Sequence, residues 1–94
     1  MYVVVRSYSG EGASALFDLL AQSEEDIRRL IGGVPGFVSY AAFRSGDGGM
    51  TVTVCEDKAG TDESSQRAAG WVAENATASV SAPAITEGTT FLHF

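Results

Sequence analysis

The 94-residue chain predicts an α+β fold whose elements run strand, helix, strand, tight turn, strand, helix, strand. Three observations carry that reading. Four segments rich in β-formers, Tyr2–Tyr8, Phe37–Arg44, Met50–Glu56 and Ile85–Phe94, are set apart by two amphipathic stretches. A glycine-rich turn, not a helix, joins the second strand to the third. The resulting βαββαβ order is of the split-βαβ kind, an antiparallel sheet with its helices on one face. The other face then needs cover, so a second copy of the chain is part of the expectation.

The first strand alternates, with Val3 and Val5 on one face and Tyr2, Val4, Arg6 and Tyr8 on the other. Ser9–Gly12 breaks it. Ala13, Leu16, Phe17, Leu19 and Leu20 then recur at near-helical spacing. Ser23 reads as a fresh N-cap, with Glu24, Glu25 and Asp26 placed to complement the helix dipole, so the helix should break near Gln22–Ser23. Gly32, Gly33 and Pro35 end the stretch.

Ser45–Gly49 is the hairpin, because Gly and Asp tolerate positive φ. The third strand sets Met50, Val52 and Val54 against Thr51, Thr53 and Cys55. Thr61, Asp62 and Glu63 are expected to open the second helix after an exit through Asp57–Gly60. Ala68, Trp71, Val72 and Asn75 follow along one stripe. Ala76–Ala84 reads as a connector, and Gly88 suggests a bulge or a close approach in the last strand.

Size and composition bound the function. The length suits one domain over residues 1–94, near the lower limit for a single core. The net charge of −6 arises from twelve acidic against six scattered basic residues, which argues against nucleic acid and anionic membranes as partners. The N-terminus enters a strand directly, without signal-peptide features, and one cysteine forms no internal disulfide. A cytoplasmic protein is the simplest expectation.

Val34-Pro35-Gly36-Phe37-Val38-Ser39-Tyr40, the Gly46-Asp47-Gly48 hairpin and Trp71-Val72-Ala73-Glu74-Asn75 together resemble the dimeric α+β-barrel superfamily of ferredoxin-like folds. That group includes antibiotic-biosynthesis-type monooxygenases and many small bacterial proteins. The resemblance implies a homodimer built through the helix-free sheet faces, with a small-molecule pocket between sheet and helices. It also allows a cofactor-independent monooxygenase acting on an aromatic or polyketide-like compound, its Asn, Trp and Arg side chains around the substrate. Haem-degrading relatives carry a helix-borne His; here the one histidine, His93, falls on the predicted last strand.

The candidate ligand-binding residues are Arg6, Tyr8, Tyr40, Trp71 and Asn75. Arg6 reads either as an anion or carbonyl anchor in a cavity beside Tyr8, or as a rim or dimer salt bridge, since buried charges are rarely left unpaired. Trp71 offers a stacking wall with Asn75 one turn on, or simply a core anchor. Tyr8 and Tyr40 present hydroxyls to a ligand or pack in the interface. His93, expected beside Tyr2, reads as an interface or fraying residue, about 13 Å from Arg6 by strand rise. Cys55 reads as a buried small hydrophobe. The acidic residues at the helix starts read as dipole-complementing charges, and neither a metal site nor a cofactor is expected.

Overall fold

The structure is a computed structural model that describes residues 1–77 and 79–94. Its elements are β1 (Tyr2–Tyr8), α1 (Ala13–Gln22), α2 (Glu24–Gly32), β2 (Phe37–Ser45), β3 (Gly48–Cys55), α3 (Lys58–Asn75) and β4 (Ala84–Thr89). The strands form one antiparallel sheet in the order β2-β3-β1-β4. This is the predicted α+β, ferredoxin-like arrangement, with α3 packed on β1 and β3, α1 on β3, and α2 on β2. No helix of the described residues is long and apolar enough to cross a membrane.

The alternation of β1 decides which side chains the helices cover. Val4, Arg6 and Tyr8 are buried beneath them, aligned with Thr53, Thr51 and Gly49 of β3. Val3 and Val5 point to the free face beside Val54 and Val52. Leu16 and Phe17 of α1 complete the core over Tyr8, whose ring meets Phe17 edge-on at 6.0 Å between centroids.

The helix does break at Ser23, which ends α1 and starts α2. Its side chain makes no capping bond, however. The break rests on the backbone: the Ser23 N–H donates to the Leu20 carbonyl at 3.1 Å, and its own carbonyl accepts from Ile27 at 3.0 Å. The hairpin is a two-residue turn, Gly46-Asp47, between paired Ser45 and Gly48, and Gly46 takes φ +58°.

Three expectations about element ends are corrected. α3 begins at Lys58, three residues before the expected Thr61, because Asp57 in extended conformation is the cap and accepts from the Gly60 N–H at 3.1 Å. Gly60 belongs to the helix and not to the exit: a Cβ there would come within 2.8 Å of the Cys55 Cβ, so its lack of a side chain lets the first turn of α3 sit on β3. β4 ends at Thr89, leaving Phe91–Phe94 outside the sheet and pairing Tyr2 with Thr89, where His93 was expected. Gly88 pairs in regular register with Val3 and has open space around it, so it marks neither a bulge nor a close approach. Within the expected connector, Ala78 lies outside the described residues.

Asp57→Ala is expected to lower stability by about 1 kcal/mol, the usual worth of a side-chain N-cap. Urea denaturation followed by circular dichroism checks this, and an unchanged midpoint refutes the assignment.

Candidate ligand site

Arg6 is fully covered, at 2 % exposure, although it sits mid-strand in the sheet. It occupies neither the rim nor a salt bridge; the hydrogen-bonding groups around it are hydroxyls. Nε donates to Ser65 Oγ at 3.2 Å, and Nη2 donates to Ser64 Oγ at 2.6 Å. Nη1 donates to Thr51 Oγ1 at 3.3 Å and to Thr53 Oγ1 at 3.1 Å. Two neighbouring elements supply this cage. β3 places Thr51 and Thr53 two residues apart on the helix-side face, and α3 brings Ser64 and Ser65 down onto β1.

Burial lowers the Arg6 pKa, and its neighbours Tyr8, Tyr40 and Cys55 raise it in part. An arginine so placed still holds its charge through the ordinary pH range. Burial pushes the Tyr8 pKa up, against the pull of Arg6. Burial also raises the Tyr40 pKa, while Arg6 and a hydrogen bond from Thr51 draw it down. The Cys55 thiol is buried, as expected, and its pKa is likewise raised by burial.

Tyr8, Tyr40, Thr51 and Trp71 meet around a small, partly open cavity of about 20 Å³, with Leu16 and Ile27 also on its walls. Outside it runs a much larger groove, about 680 Å³, between α1–α2 and the edge strand β2. Leu20, Ile27, Ile31 and Tyr40 are walls of both spaces. Phe17 and Phe37 lie along the groove, whose walls are mostly apolar. At its rim Arg28 pairs with Glu24 at 2.7 Å, and Arg44 pairs with Asp18 at 2.6 Å.

Of the five candidates, Tyr8, Tyr40 and Trp71 share the inner cavity, and Arg6 lies one side chain behind it through Thr51. Asn75 is apart from them. It is exposed, donates to the Trp71 carbonyl at 2.9 Å, and borders a separate recess with Leu19 and Val80. His93 is exposed beyond β4. No group of three or more His, Cys, Asp or Glu that could hold a metal ion occurs among the described residues.

The sequence reading passed over Thr51, Thr53, Ser64 and Ser65 as partners of Arg6. A signal for them exists: Gly60, Ser64, Ala68 and Trp71 fall at offsets of four, four and three, so the stripe ending in Trp71 begins with small polar residues. A helix with small hydroxyls at the start of its inner face suits a sheet carrying a buried donor.

Two results are expected from this geometry. Arg6→Ala strands the hydroxyl cage around a void and should cost about 3 kcal/mol, whereas Arg6→Met refills the volume without a buried charge and should stay within about 1 kcal/mol of the parent. Equal losses in urea melts would mean that volume and charge are not the separable terms here. Because Tyr8 and Tyr40 hold their protons more tightly folded than unfolded, the folded state binds more protons above about pH 10, and stability falls with rising pH there. Thermal melts from pH 8 to 11 check the sign, and Tyr8→Phe should flatten the decline.

No protein-family model matches the sequence, and no curated protein matches it. Solved structures do. NE2512, a protein of unknown function from Nitrosomonas europaea, aligns with a TM-score of 0.71 at 24 % identity, covering 99 % of this chain and 90 % of that one. A variant of MhuD with two manganese protoporphyrin IX bound per active site gives 0.64 at 16 % identity, covering 99 % and 95 %. SnoaB, a cofactor-independent oxygenase from Streptomyces nogalater, gives 0.51 at 16 % identity, covering 99 % and 92 %. What these proteins share with the present chain is its fold, the ferredoxin-like α+β architecture.

Proposed function

We propose that residues 1–94 act as one domain of a homodimer that binds a flat aromatic small molecule between helices and sheet. The observation that carries this reading is the groove of about 680 Å³ that shares its Tyr40 wall with the small cavity lined by Tyr8 and Trp71. Its size falls in the range of small-ligand sites, roughly 300–1,000 Å³. Aromatic walls favour a planar ligand through stacking and edge contacts. Tyr8, Tyr40 and Trp71 form the binding wall, Arg6 sets its charge, and Asn75 steadies the backbone that carries Trp71. The dimer reading is supported by the free sheet face, where half-buried Val3, Val5, Met50 and Val52 lie beside exposed Phe43.

A second reading, a cofactor-independent oxygenase on an aromatic or polyketide-like substrate, draws support from the likeness to SnoaB and from the aromatic wall. The porphyrin of the MhuD complex does not carry over, since the groove offers no histidine and His93 lies beyond β4.

Native mass spectrometry of the freshly purified protein tests the main reading. The expected species is a dimer carrying ligand mass, and Val52→Glu, which sets a carboxylate in the free face, should give a folded monomer. A parent protein that is monomeric at micromolar concentration overturns the dimer. For the second reading, oxygen uptake with hydroquinones and anthrones should fall at least tenfold in Trp71→Ala; no uptake with any member of the panel removes it.

A further inference from the structure

The charge that the pocket favours follows from how the basic residues are balanced, and it rests on the pocket reading above. Five of the six pair with acids: Arg28 with Glu24, Arg29 with Asp26, Arg44 with Asp18, Arg67 with Glu63, and Lys58 with Asp62 and Glu87. Among the described residues Arg6 alone faces no carboxylate, and it is also the buried one. The ion pairs at the groove rim cancel locally. What remains behind the groove is one positive charge without an acidic partner, held by hydroxyls, and the titratable side chains that act on it are those of Tyr8, Tyr40 and Cys55.

The hydroxyls around that charge have a direction. A guanidinium only donates, so each hydroxyl that accepts from it turns its own proton outward. Ser64 passes its proton to the Thr61 carbonyl at 2.7 Å, and that branch closes in the backbone. Thr51 accepts from Arg6 and so turns its own proton away from the guanidinium, and it walls the cavity beside the Tyr40 ring. Tyr8, Tyr40 and Thr51 all wall the cavity of about 20 Å³. A space of that size holds about one water or one ligand oxygen.

We infer that the pocket selects a flat aromatic ligand bearing an acidic oxygen and binds it as the monoanion, with the oxyanion in the small cavity against Tyr40 and the ring in the apolar groove. The buried Arg6 charge is then balanced by the ligand. A cationic group at the same position would meet the field of Arg6, which is unfavourable.

4-Nitrophenol is a suitable probe because its phenolate absorbs visible light. It is titrated with and without the protein, and binding is followed separately by Trp71 fluorescence. The expected result is a bound-state pKa about one unit below that of the free phenol, which means the phenolate binds about tenfold tighter than the phenol. The chain's net charge of −6 acts in the opposite sense, so a lowered value requires a local positive field. Tyr40→Phe should lose most of the shift, and Arg6→Met, with its fold verified by circular dichroism, should abolish it. Clear binding with an unchanged or raised pKa overturns the inference and leaves the pocket reading standing. A shift that survives Arg6→Met also overturns it, and binding of neither form overturns the inference and the pocket reading together.

Discussion

A guanidinium without an acidic partner, held inside the protein, is the constraint around which this fold is organised. Moving a charge out of water is expensive, and Arg6 recovers part of that loss through four hydrogen bonds to hydroxyls. Those bonds require Thr51 and Thr53 on β3 and Ser64 and Ser65 on α3 to stand at fixed places around β1. The arginine thus ties the two central strands to the long helix. It also explains why the inner face of α3 starts with Gly60, Thr61 and Ser64, all buried, where a larger apolar row would displace the side chain from its cage.

From that tie follows the placement of the pocket. With α3 held over β1 and β3, the remaining helical cover over β3 and β2 comes from α1 and α2. Their backbone break at Ser23 turns the chain so that α1 packs on β3 and α2 reaches β2. The groove lies along that edge, between α1–α2 and β2. Trp71 and Tyr40 stand where the cover of α3 meets that of α2, which is why the inner cavity forms between them.

The free face and the C-terminal segment answer to a different requirement. Val3, Val5 and Val52 on the uncovered side keep the alternation that a two-sided core demands, although only one side receives helices. Beyond Thr89 the chain leaves the sheet with Phe91, Leu92 and Phe94 largely in solvent. Apolar exposure of this kind is costly in an isolated chain, and the homodimer proposed above would relieve it at the sheet face.

The element order was legible because each element has a local cause. β-branched alternation makes Tyr2–Tyr8 a strand, Gly46 permits the hairpin, and the acids after Ser23 mark a new helix start. Arg6 stood out as an odd charge in an apolar strand, and Tyr8, Tyr40 and Trp71 as aromatics with polar handles. Their grouping around one cavity depends on register: β2 carries a bulge between Phe37 and Ser39 that resets its pairing with β3 and sets Tyr40 opposite Thr53, on the helix-covered face. The extent of β4 and the start of α3 are not legible locally for the same kind of reason, since one is decided by where β1 stops offering partners and the other by how closely Gly60 can approach Cys55. By itself, then, the sequence determined the order and type of the elements, which are set by neighbours a few residues apart. Only the tertiary structure decided what surrounds Arg6, because its hydroxyl partners lie 45 to 59 residues away along the chain and come together only when the sheet and α3 close on it.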